Sequence, residues 1–329
     1  MVKPRTRGYT DGMGRIFASS CVAVLTLAAI SARAQQNPAP ATTAPQIAFT
    51  FDDLPAHGPM PPGATRHEII DSIISTLKNE KMPPVYGFVN GKKIEDEPFQ
   101  IEVLEDWVKA GEPLGNHTWS HPNLEKETAE EYIADIKKGE PIFKRIDGKG
   151  DWHWFRYPFL NEGETLAKRQ QVRDWLTAHG YRIAEVTLDF EDYMWNDPYA
   201  RCMAKQKDGI DEQENLAWLE KSYLDTAAEF TQMFRTLSVK LYGHEIPYVL
   251  LMHCGAFDAK MLPRLIAQFR SEGFSFVTLQ QAESDPAYSI DPHIGYPNGG
   301  TLEELMSQVK GVNFPDNTKP YKKIDEMCR

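Results

Sequence analysis

The feature that most constrains this chain is an alternation of two kinds of segment. Apolar runs of strand length fall at residues 46–51, 85–89, 113–116, 152–156, 181–187, 248–253 and 274–279, and longer amphipathic stretches lie between them at 66–79, 99–110, 129–146, 164–179 and 259–272. Short apolar runs suit strands buried on both faces, and a 3.6-residue period suits helices that bury one stripe. Gly111, Gly180 and Gly273 stand where helix C-caps would fall. Repeated strand–helix units predict a parallel sheet covered by helices, and about seven strands predict an α/β barrel or a barrel-like open sheet. Two stretches stand outside the alternation: a long helical segment at 211–239, inserted before the sixth strand, and a Pro/Gly-rich tail at 287–329 with one short helix near 301–310.

The N-terminus reads as an export signal. Lys3, Arg5, Arg7 and Arg15 precede a nearly apolar run at 16–30, and Ala32-Arg33-Ala34 follows as a small-x-small cleavage site. The run is shorter than the ~20 residues a spanning helix needs. Residues 1–34 are therefore expected to be a signal peptide, with lipidation at Cys21 as the minor alternative, and 35–45 a Pro/Ala/Thr/Gln-rich linker. The protein is expected in the periplasm or outside the cell, without stable membrane insertion. Loss of five basic and one acidic residue with the signal takes the formal net charge from −11 to −15. Such an acidic chain lacks the basic surface that nucleic acid requires. Cys202, Cys254 and Cys328 remain, an odd number for an oxidising compartment. Either one disulfide forms, with Cys202–Cys328 the favoured pair, or all three stay as buried thiols. Without a CxxC pair, a thiolate zinc site has no support.

In an α/β barrel the working residues gather at the C-terminal ends of the strands. That rule selects Asp52 and Asp53 after the first strand, His117 and His121 after the third, Arg156 at the fourth, Asp189 after the fifth and His253 at the sixth. Adjacent carboxylates repel unless their roles differ, and a metal separates them: one ligates while the other takes a proton. Taken alone, the pair could equally be a solvated strand end. His117 and His121, at i and i+4, can converge on one ion if the backbone turns, and Pro122 biases His121 away from helix. Two His and one Asp make a facial set with open positions for water. In isolation an H-x-x-x-H pair is more often surface histidine, and a His ending a buried strand is often a rim residue. Their shared face is what raises them above that.

Five segments in order then resemble the polysaccharide deacetylases, the NodB-homology enzymes of carbohydrate esterase family 4. They are T-F-D-D at 50–53, H-T-W-S-H at 117–121, R-Y-P-F at 156–159, D-F-E-D-Y at 189–193 and L-M-H at 251–253. The resemblance implies a distorted (β/α) barrel over 46–285, followed by a C-terminal extension at 286–329. It implies removal of acetyl groups from N-acetylated sugars, with one divalent ion, usually zinc, on Asp53, His117 and His121. Asp52 would be the general base and Arg156 its orienting partner. The Tyr157 N–H would help hold the oxyanion. His253 would be the general acid tuned by Asp189, and Leu251 would line the acetyl pocket. Two departures bear on specificity: Tyr193 stands where the fourth motif usually has Trp, and Cys254 follows His253. Trp195 could supply the missing aromatic wall. The segment 192–245 leaves the barrel beside Asp189 and returns beside His253, so it is expected to fold over the barrel mouth; the alternative is an ordinary barrel helix, lengthened and packed outside. An O-acetyl esterase, a small-molecule amide hydrolase and a non-catalytic sugar-binding barrel are the rival readings, and oligomeric state is left open.

Overall fold

The computed structural model describes residues 44–147, 150–315 and 320–329. The expected signal peptide and all but the end of the linker lie outside these residues. The strands are β1 (Gln46–Leu54), β2 (Tyr86–Val89), β3 (Leu114–Asn116), β4 (Trp154–Phe155), β5 (Arg182–Ile183), β6 (Tyr248–His253) and β7 (Ser275–Phe276). The helices are α1 (Arg66–Asn79), α2 (Lys92–Asp96), α3 (Ile101–Lys109), α4 (Ala129–Ile146), α5 (Leu166–Ala178), α6 (Asn196–Lys207), α7 (Gln213–Tyr242), α8 (Ala256–Ser271), α9 (Leu279–Ala282), α10 (Leu302–Lys310) and α11 (Tyr321–Glu326).

Every strand pairing is parallel, in the order β5-β4-β3-β2-β1-β6, with β7 pairing the start of β1. The sheet curls because the chain beyond β5 returns to its other edge. Leu188 bridges Leu250 of β6, and the Leu251 N–H donates to the Leu188 carbonyl at 3.0 Å. The result is the distorted (β/α) barrel expected from the sequence, with very short strands at β4, β5 and β7. After Gln46, β1 is buried throughout, as a central strand covered on both faces must be. Thr65, Thr128 and Thr301 open α1, α4 and α10 with capping boxes completed by Glu68, Glu131 and Glu304. These reciprocal bonds set where each helix starts, and so how long the loop from the preceding strand can be.

The inserted segment follows the bland alternative. Helix α7 buries Leu219, Tyr223, Ala227, Phe230, Phe234, Leu237 and Leu241, a stripe at helical spacing. It packs against α8 and α10, outside the barrel. The tail helix expected near 301–310 is α10. The segment before it is bonded into the barrel: the Leu302 N–H donates to the Val186 carbonyl at 2.8 Å and the Tyr296 N–H to Gly163 at 2.9 Å. A disulfide joins Cys202 of α6 to Cys328, the pair favoured from the sequence, and Cys254 is a buried free thiol.

Candidate active site

The strand register brings the first two groups together. Asp52 on β1 lies opposite His253 on β6. Asp53 then turns into the left-handed region, at φ 70°, and the Ala56 N–H closes a turn onto its carbonyl at 3.0 Å. Successive strand residues point to opposite faces; the turn lets two adjacent carboxylates serve one pocket. After β3 the chain makes a tight loop instead of a helix, with Thr118 and His121 at φ 69° and 58°. Asn116 Oδ1 accepts the Thr118 N–H at 2.8 Å, and Asp135 Oδ1 accepts those of Trp119 and Ser120 at 2.7 and 2.8 Å. These bonds hold both imidazoles toward Asp53.

The tautomer of His117 follows from its partner. Its Nδ1 donates to the Arg156 carbonyl at 2.8 Å, and a carbonyl can only accept. Nε2 is then a bare acceptor, 3.8 Å from Asp53 Oδ1, with His121 Nε2 3.5 Å from the same oxygen. Burial pushes His117 down to about 3, and burial together with His117 pushes His121 down to about 4, so both rings are neutral at physiological pH. Burial would raise the Asp53 carboxyl, but Lys93 and a hydrogen bond from His57 outweigh it and hold it well below the usual carboxylate range. Asp53 Oδ1 is buried and accepts no hydrogen bond, although Lys93 Nζ lies at ion-pair distance, 3.3 Å. Two neutral imidazole nitrogens thus face a carboxylate oxygen that accepts no hydrogen bond. All three ligand atoms lie within 4.8 Å of one another. An imidazole–imidazole–carboxylate set of this kind fits a divalent ion such as zinc.

Asp52 and Arg156 are both buried, and Arg156 Nη1 reaches the two carboxylate oxygens at 3.2 and 3.3 Å. Its other nitrogens are fixed too, Nε to the Ala184 carbonyl at 2.7 Å and Nη2 to Thr50 Oγ1 at 3.1 Å. Burial raises the Asp52 carboxyl above its ordinary value, while Arg156 and His253 oppose the shift. Across the pocket, Asp192 binds His253 twice: Oδ1 binds ring Nδ1 at 2.7 Å and Oδ2 accepts the backbone N–H at 2.6 Å. The sequence expectation gave this place to Asp189; the carboxylate bonded to the ring is that of Asp192, and Asp189 lines the same pocket. Glu191, at φ 59°, makes the turn that presents Asp192. Asp192 is itself fully buried and raised well above its ordinary value by burial. Asp258 hydrogen-bonds it, and is held in turn by Tyr223 and Asn196.

The pocket is lined by Asp52, Asp53, His57, His117, His121, Asp189, Tyr193, Leu251 and His253, closed by Phe159 and Leu160 and by Asn298–Gly300 with Glu304 from the C-terminal segment. Leu251 reaches this pocket from β6. Trp195 is not: it is fully buried, and its indole N–H donates to Ser222 Oγ of α7 at 2.9 Å. Tyr193, 39% exposed, supplies the aromatic wall, edge-on to His253 at 5.3 Å. Of the segment 192–245, Tyr193 alone among the described residues lines this pocket. The Tyr157 ring is buried against Tyr132 and Phe155, which leaves its backbone as the part that can serve the site. Sequence reasoning missed His57, Asp192 and the C-terminal wall. For His57 there was a signal: it stands at i+4 from Asp53.

Residues 39–184 match the family model described as polysaccharide deacetylase. Over this stretch the chain is similar to polysaccharide deacetylases. The match includes Asp52, Asp53, His117, His121 and Arg156, and stops before Asp192 and His253. A peptidoglycan-N-acetylglucosamine deacetylase of Bacillus cereus is 29% identical over 148 residues, 45% of this chain and 46% of that protein. The peptidoglycan-N-acetylmuramic acid deacetylase PdaC of Bacillus subtilis is 37% identical over 102 residues, 31% of this chain and 19% of that one. The alignments therefore span less than half the length of these curated relatives. The solved chitin deacetylase of Colletotrichum lindemuthianum overlays with a TM-score of 0.49 at 21% identity, covering 73% of this chain and 88% of that one.

Proposed function

We propose that the protein is a metal-dependent hydrolase that removes acetyl groups from N-acetylated amino sugars of oligo- or polysaccharides. The observation that carries this reading is the arrangement around Asp53. A three-ligand set lies beside one carboxylate clamped by arginine and faces one histidine backed by a carboxylate. Asp53, His117 and His121 would hold the ion, most simply zinc, which when bound would polarise the acetyl carbonyl and make water more acidic. Asp52 takes the proton of the attacking water, and its bonds to Arg156 keep it pointed at the pocket. Water oxygen bonds to the carbonyl carbon, and the negative charge that grows on the carbonyl oxygen meets the Tyr157 N–H. His253 then gives a proton to the amide nitrogen as the carbon–nitrogen bond breaks, because an unprotonated amine is a poor leaving group. Acetate and a free amino sugar result. Leu251 offers an apolar contact to the acetyl methyl, and Tyr193 a face for the sugar ring. Asp189 lines the wall near both.

Work on cell-wall or other exported polymers agrees with the N-terminal export pattern and with the Cys202–Cys328 disulfide, a bond that persists in oxidising compartments. Among the described residues no helix is long and apolar enough to cross a membrane. The test is acetate release from N-acetylglucosamine oligomers, peptidoglycan and acetylated xylan, side by side, with and without chelator. Release from the first two that chelator abolishes and zinc restores is expected. Chelator-insensitive release, or release from xylan alone, would overturn the proposal.

A further inference from the structure

We infer that His57 is a positioning residue that aims the Asp53 carboxylate at the ion and braces His253; this rests on the metal-dependent reading above. Two kinds of spacing around Asp53 separate the roles of its three histidine neighbours. Two donors sharing one tetrahedral zinc at ~2.1 Å stand about 3.3 Å or more apart. His121 and His117 lie 3.5 and 3.8 Å from Asp53 Oδ1, as co-ligands would. His57 Nδ1 lies 2.7 Å from the other oxygen, Oδ2, which is a hydrogen-bond length. A ligating carboxylate can only accept, so in this contact Nδ1 is the donor. Oδ2 is thereby occupied, and Oδ1 is left as the oxygen without a hydrogen bond.

The loop is built to hold that ring. Arg66, at the start of α1, donates through Nη1 to the His57 carbonyl at 2.8 Å and through Nη2 to the Gly58 carbonyl at 2.7 Å. Lys93 Nζ donates to the Asp53 carbonyl at 3.0 Å, so backbone and side chain of Asp53 are both fixed. The His57 ring also lies beside that of His253, with centroids 4.5 Å apart and planes tilted by 45°. One imidazole thus links the ligand carboxylate to the proposed acid. Asp53, His57 and His253 could alternatively gather a second ion. The 2.7 Å contact argues against it, because a direct hydrogen bond leaves no room for a metal between the two atoms.

The experiment is a competition titration of zinc against a chromogenic chelator, with elemental analysis, on apo wild type, His57→Ala and His57→Asn. Asn carries an amide N–H close to where Nδ1 stood. His57→Ala should bind one equivalent with an affinity lowered roughly 10–100-fold, the usual effect of losing an outer hydrogen bond to a ligand. His57→Asn should recover most of that loss, and the apo proteins should melt alike. Wild-type zinc affinity in His57→Ala would overturn the inference, as would His57→Asn no tighter than His57→Ala. Two equivalents in wild type falling to one in His57→Ala would make His57 a ligand and also overturn it. A wild type that binds no zinc would instead bring down the metal-dependent reading, and this inference with it.

Discussion

At the scale of single residues, adjacent carboxylates carry different duties because their surroundings differ. Asp53 is held ionised by Lys93 and His57, whereas burial raises Asp52 against the opposition of Arg156. Asp52→Asn is therefore expected to keep the ion and lose turnover by about 10²–10⁴-fold, the usual contribution of a general base. Metal content and initial rates on one preparation check this; a wild-type rate would remove Asp52 from the mechanism. The residues legible in the sequence were those at strand ends, because strand ends on one face of a parallel barrel must converge. His57 was missed although it stands at i+4 from Asp53, because it lies in a loop beyond the strand with no second histidine beside it. The choice between Asp189 and Asp192 was hidden because it depends on one left-handed residue, Glu191.

At the scale of elements, the turn Asp192–Trp195 sorts its aromatics by backbone geometry: Tyr193 faces the pocket and Trp195 the core under α7. Tyr193→Ala should raise KM more than it lowers kcat, as for a contact shared by ground and transition states. Trp195→Ala should destabilise by about 3–5 kcal/mol, the usual cost of emptying a core aromatic site. Denaturant melts and steady-state kinetics on both variants separate these outcomes, and the reverse pattern would restore the lid. Elsewhere, Glu112, just beyond α3, accepts the Val85 N–H at 2.6 Å and ties that helix to the start of β2. Burial pushes its carboxyl up to about 7. A raised carboxyl favours the protonated folded state, so its contribution is full below the ordinary value near 4.5 and lost as pH rises through about 7. That contribution is no more than about 3 kcal/mol. Urea midpoints between pH 4.5 and 8 should show a loss across this window that Glu112→Gln flattens; equal slopes would contradict the assignment.

At the scale of the whole molecule, the pocket is completed from the far end of the chain. Gly299, at φ 70°, lies so close to the turn after β4 that a Cβ would stand 2.2 Å from the Phe159 carbonyl oxygen. The Gly300 N–H donates to the Leu160 carbonyl at 3.2 Å, and Asn161 Nδ2 donates to the Pro297 carbonyl at 2.6 Å. Only glycine fits both the conformation and the space. Gly299→Ala should displace this wall, cost about 1–3 kcal/mol of stability through backbone strain, and lower kcat/KM several-fold. A variant with wild-type melting and kinetics would show that the contact matters to neither.

The sequence by itself determined the parallel α/β architecture, because buried strands and amphipathic helices leave different periods in the order of residues. It also singled out Asp52, Asp53, His117, His121 and His253, because position at a strand end is a one-dimensional property, but not His57 or Asp192. What closes the barrel, Leu188 against Leu250, and what closes the pocket, Gly299 against Phe159, are contacts between segments 62 and 140 residues apart. So are the bond from Asp192 to His253 and the burial of Trp195 against Ser222. No local period encodes such contacts. They are decided by which surfaces remain to be covered once the sheet has curled, and only the tertiary structure settles that.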